Sequence, residues 1–96
     1  MKKNDMTFEI LFEDESVKML ELYKMSSDEI INLNTSVFIS STEVPNKDTE
    51  KFLKEEVEQI KEHLECNKQK LVALYKFIYI KDGKKTMMFK AIGKNK

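Results

Sequence analysis

The sequence predicts an α+β protein: an antiparallel sheet of four to five strands with one long amphipathic helix packed on one face. Three observations predict it. Residues Met6 to Glu13 alternate with period two, Leu53, Val57, Ile60 and Leu64 recur at helical spacing, and Asp82-Gly83 separates two β-prone runs near the carboxyl end. With 96 residues, the chain has room for one core, so a single small domain over 1–96 is expected, with 1–5 and 93–96 fraying.

The first strand puts Met6, Phe8, Ile10 and Phe12 on one face and Thr7, Glu9 and Glu13 on the other, with Leu11 the single break. Glu13 to Ser16 is a polar turn. Val17 to Met25 reads as a second strand joined by a short hairpin; the same residues also fit a short helix capped by Ser16. Ser26 and Glu29 stand three apart in a capping-box pattern, which starts one or two helical turns through Ile30, Ile31 and Leu33. Asn34 to Ser40 has the β-branched and aromatic content of another strand, and Pro45 ends it.

From about Asp48 to Cys66 the apolar stripe is flanked by Glu50, Lys54, Glu58 and Glu62 facing water, with Asn46 or Asp48 as the cap. Leu71 to Ile80, a turn, and Lys85 to Ile92 then form a hairpin, because a two-residue primed turn needs positive φ at both central residues. With Asp82 and Gly83 as the loop, Ile80 opposes Lys85, Ile78 opposes Met87, Lys76 opposes Phe89 and Leu74 opposes Ala91. The other face pairs Tyr79 with Thr86, Phe77 with Met88 and Tyr75 with Lys90.

Composition narrows the chemistry. Seventeen acids balance 17 bases, so neither a uniformly basic nucleic-acid binder nor a strongly acidic mimic of DNA fits the whole chain. Every base is a lysine, which removes the bidentate fork of arginine from any anion site. Two glycines leave no phosphate loop or dinucleotide fingerprint. One cysteine suits a reducing cytoplasm, and no apolar run is long enough to span a membrane, so a cytoplasmic protein without a membrane partner is expected. Charge is uneven along the chain, with a net of −8 over residues 1–66 and +8 over 67–96. The two parts either neutralise each other or leave the basic end for an acidic partner.

The hairpin register produces the candidate site. Val72, Leu74, Ile78, Ile80, Met87 and Phe89 suit the face that receives the helix. Tyr75, Phe77, Tyr79 and Met88, with Lys90 beside them and Lys76 and Lys85 near, form an aromatic face that a single covering helix leaves open. Three occupants fit that face: the chain itself or a second copy, a different protein anchored on the rings, or single-stranded nucleic acid stacked on them. The leading expectation is a non-enzymatic regulator or inhibitor that binds a protein, acting in one form as a homodimer. Single-stranded nucleic-acid binding is the alternative, and local mimicry of nucleic acid by the acidic face a minor one.

Catalysis and cofactors find little support. His63 and Cys66 stand three apart on the helix, but a closed zinc site wants four ligands and no second histidine or cysteine exists. The carboxylates of Glu13, Asp14, Glu15, Asp28, Glu29, Glu55, Glu56 and Glu58 fall in turns, at a cap or on the helix surface, where solvated charge explains them. No enzyme activity, cofactor or metal is expected, because no nucleophile, base and oxyanion set can be assembled from these residues.

Overall fold

The computed structural model describes residues 6–95, and the polypeptide in it runs β1 (Thr7–Glu13), two 3-10 turns (Lys18–Leu20 and Leu22–Lys24), α1 (Ser27–Ile31), β2 (Thr35–Glu43), α2 (Thr49–Cys66), β3 (Gln69–Lys81) and β4 (Lys84–Asn95). Among the described residues the fold is α+β, with a four-stranded antiparallel sheet in the order β1-β3-β4-β2. The expected fraying of 1–5 and of residue 96 lies outside the described residues. Gly93 to Asn95, also expected to fray, instead continue β4. Gly93 is buried there, and a Cβ at that position would come within 3.1 Å of a Leu64 methyl on α2.

The hairpin forms in the register that its turn dictates. Asp82 and Gly83 both adopt positive φ, 53° and 77°, and Lys81 pairs with Lys84 across them. Every pairing expected between Leu74 and Ala91 and the turn is present. A register shift between Leu71 and Ala73 then turns Val72 away from the helix face, where the strict alternation had placed it.

α2 lies on one face of this sheet. Ile60 and Leu64 are buried against Leu74, Met87, Phe89 and Ala91, and Phe52, Leu53 and Val57 pack beside them. Each buried side chain of this kind is worth roughly 1.5–3 kcal/mol of transfer free energy. Asp48 precedes α2 with φ 56°, but its side chain makes no capping bond. No helix among the described residues is long and apolar enough to cross a membrane.

The opposite face is covered by the chain between β1 and β2. The strand expected over Val17 to Met25 is absent, and two 3-10 turns stand in its place. Asp14 draws the chain around at the start: its carboxylate accepts from the Ser16 N–H at 2.8 Å and hydroxyl at 2.7 Å, and its carbonyl accepts from the Val17 N–H at 3.0 Å. Glu21 then takes a left-handed conformation, φ 49°, between the turns. This segment folds over the face instead of extending the sheet beyond β1, and buries Val17 and Leu22. Ser26 and Glu29 form the expected capping box, which directs α1 so that Ile30 joins the same cluster.

β1 departs from its expected pattern at one point. A bulge between Ile10 and Phe12 lets Leu11 pack with the α2 cluster, and Phe12 pairs with Leu74 on that side. Phe8 and Ile10 share the opposite face with their partners Phe77 and Tyr75.

Candidate interaction surface

The hairpin places Tyr75, Phe77 and Tyr79 of β3 on the sheet face away from α2, alongside Met88 and Lys90 of β4. They share a face as the sequence indicates, but they are not equally open. Tyr75 is fully buried, which corrects its expected role as an exposed anchor. The 3-10 turns cover it: its ring lies 5.6 Å from that of Tyr23 and 5.9 Å from that of Phe8. Its hydroxyl donates to Glu13 Oε2 at 2.9 Å. Burial, with the Glu13 carboxylate as acceptor and neighbouring charge, pushes the phenol well above its usual value.

Lys90 is also drawn inward. Its Nζ donates to the carbonyls of Tyr23 at 3.2 Å and Met25 at 3.1 Å, fastening the second 3-10 turn to the sheet. Burial holds its pKa below the ordinary lysine value. The expected partner contact is therefore engaged within the fold. Lys76 and Lys85 lie on the other face, since they oppose Phe89 and Ile80 in the hairpin. The Lys76 side chain is 15% exposed, and its ammonium pairs with Glu9 Oε1 at 2.8 Å. Lys85 is exposed at the start of β4, near Val44, Glu50 and Leu53 beside α2.

Phe77, Tyr79 and Met88 stay half-buried, and the pairing extends them into a wider apolar patch. One row crosses the sheet as Phe8, Phe77, Met88 and Ser41; the next runs Ile10, Tyr75, Lys90 and Ile39. Phe8 is 39% exposed, Ile10 44% and Ile39 49%. Phe8 ties the patch to its cover, stacking on Tyr23 at 4.5 Å and lying 5.1 Å from Phe77. Sequence reasoning did not join these three residues to the hairpin aromatics. The period-two pattern showed that Phe8 and Ile10 share a face, but which strand lies beside them is decided by long-range pairing.

Lys81 and Lys84 pair with each other at the hairpin tip on the Tyr79 side, and Lys84 is engaged with Glu43 at 3.3 Å. The remaining candidates resolve into ordinary surface features. His63 lies against the Phe38 ring at 4.2 Å and its carbonyl accepts from Asn67 Nδ2 at 2.8 Å, while Cys66 is exposed. Among the described residues no three His, Cys, Asp or Glu side chains gather as a metal site. Glu15 and Glu21 pair with Lys18 and Lys24 at 3.2 and 2.6 Å on the solvent side of the turns.

Comparison with protein-family models, curated proteins and solved structures finds no match to this chain. The surface must be read from its own chemistry.

Proposed function

We propose that this chain is a non-enzymatic protein-binding module, a regulator or inhibitor of a larger macromolecule, that docks through the uncovered part of the sheet face opposite α2. The observation that carries the reading is the row of Phe8, Phe77 and Met88 across three strands with Tyr79 beside it, and with Ile10 and Ile39 exposed on the same face at the two outer strands. Exposed apolar residues scattered singly need no explanation, but a contiguous set on one rigid sheet does. Tyrosine, phenylalanine and methionine supply large contact area at low entropic cost, which suits the centre of a protein interface.

The charge arrangement supports an apolar partner over a nucleic acid. Lys90 is committed to backbone carbonyls and Lys76 to Glu9, and neither Lys76 nor Lys85 shares the aromatic face. Base stacking on the rings would have Lys81 and the Glu43-paired Lys84 at the hairpin tip as its nearest phosphate contacts, fewer than the sequence alone suggests.

The test compares partners captured from nuclease-treated native lysate by the natural chain and by a Phe77→Ser, Tyr79→Ser double variant. A specific protein retained by the first at both low and high salt, and lost by the folded second, is the expected result. Retention of the same partner by the double variant overturns the reading. So does tight binding of a single-stranded oligonucleotide that weakens steeply with salt, since that is the behaviour of phosphate neutralisation.

A further inference from the structure

The two outer strands of the sheet meet solvent on different terms. β1 is short, carries Glu9 and Glu13, and is bent by its bulge, all features that blunt an edge against further pairing. β2 pairs with β4 from Thr35 to Glu43 without a register shift and bears no charge before Glu43. The uncharged run extends from Ile30 through Thr42, in a chain that is 35% charged. An edge so regular and so free of charge is a template for another strand.

The direction of its backbone groups can be read from one bond. The Val44 N–H donates to the Lys85 carbonyl at 3.0 Å. Alternate residues of a strand point the same way, so Thr42, Ser40, Phe38 and Ser36 face β4. Thr35, Val37, Ile39 and Ser41 therefore turn their N–H and C=O groups outward. Among the described residues, no turn or loop backbone group bonds to those of Val37, Ile39 or Ser41.

We infer that β2 pairs antiparallel with β2 of a second copy, about a two-fold axis at Phe38, to give one sheet continuous across both copies. The occupant is identified by the strand's own order. Thr35-Ser36-Val37-Phe38-Ile39-Ser40-Ser41 is a chemical palindrome about Phe38. With the axis there, Val37 opposes Ile39 of the second copy, Ser36 opposes Ser40, Thr35 opposes Ser41, and Phe38 meets itself. Each Val37–Ile39 pairing exchanges two backbone hydrogen bonds from the outward set. Centring on Ile39 instead would set Phe38 against Ser40 and Thr35 against Glu43.

The axis at Phe38 keeps both copies of α2 on one face of the joined sheet. A groove of about 230 Å³ runs between β2 and α2, lined by Phe38, Ser40, Glu56, Gln59, Ile60 and His63, and the second Phe38 meets its mouth. The contact is self-complementary and therefore closed, while the blunted β1 edge ends the sheet on each side. The pairing uses the outward backbone groups of β2, whereas the aromatic face, to which the Ile39 side chain belongs, acts through side chains, so Tyr79→Ser leaves the pairing intact.

Sedimentation equilibrium of the full chain is expected to give twice 11.4 kDa. Ile39→Pro removes an outward N–H and no bond to β4, so it should halve the mass while the circular dichroism spectrum is kept. Where that variant fails to fold, Ile39→Lys serves, placing a charge on the edge. In a Cys66→Ser background, Phe38→Cys should oxidise to a covalent dimer. Ser36→Cys alone should not, but mixed with Ser40→Cys it should. A full chain that stays monomeric as concentration rises overturns the proposal. So does a dimer that survives both Ile39 variants, or assembly that grows without limit.

Discussion

Tyr75 shows how much a single side chain can depend on its cover. On the bare hairpin it would be one of three neighbouring rings facing water, but the 3-10 turns seal it and Glu13 accepts its hydroxyl. Tyr75→Phe keeps the ring packing and removes that bond, at an expected cost of about 1 kcal/mol in chemical denaturation. The pH dependence carries a clear sign. Because the folded state raises the phenol's pKa, the associated stability is fully present below the unfolded value near 10 and is lost as pH rises towards the folded one. Stability of the natural chain should therefore fall more steeply above about pH 10 than that of Tyr75→Phe, and midpoints measured on both across that range check it. Lys90 carries the same lesson from the polar side. A mid-strand lysine opposite a tyrosine reads as a surface charge in sequence, yet the carbonyls of Tyr23 and Met25 claim it.

Among the elements, the hairpin was legible because its signal is local. Asp82-Gly83 needs no distant residue to take positive φ at both positions, and the turn then sets the pairing up to Leu74. Gly83→Ala meets no neighbouring atom, so its cost is backbone strain alone, about 1–2 kcal/mol. A lowering of the thermal midpoint by several degrees, with the spectrum of the folded chain unchanged, is the expected outcome. The capping box at Ser26 and the α2 stripe were legible for the same reason, since each spans only a few residues. Val17 to Met25 was not. Its alternation suits a strand, and the outer edge of β1 is open beside it, but the face above Tyr75 offers these side chains more burial than an edge would. The bulge at Leu11 showed only as a break in the alternation and the one at Val72 not at all, because neither has a glycine to mark it.

At the scale of the molecule, the sheet order brings the acidic and basic parts of the chain together. The basic hairpin sits at the centre with the more acidic β1 and β2 on its flanks, and Glu9–Lys76, Asp14–Lys70 and Glu43–Lys84 join them. Exposed pairs of this kind contribute little singly, so the arrangement governs surface charge more than stability. The order also ranks local stability. β3 and β4 each have a strand on both sides and layers above and below, whereas β1 and the 3-10 turns are held from fewer directions. Hydrogen exchange should accordingly find the slowest amides between Ala73 and Phe77 and between Met87 and Ile92. Amides of residues 17–25 should exchange faster by orders of magnitude, and equal protection of the two regions would contradict this ranking.

The sequence alone determined the α+β class, the long helix, the capping box and the hairpin with its register, because each rests on periodicity or turn chemistry within a short span. Only the tertiary structure decided which aromatic rings remain open, where Lys76 and Lys90 spend their charge, and which edge is left unprotected. Those outcomes depend on which distant segment competes for the same face, and burial against a partner tens of residues away leaves no periodic mark in the chain.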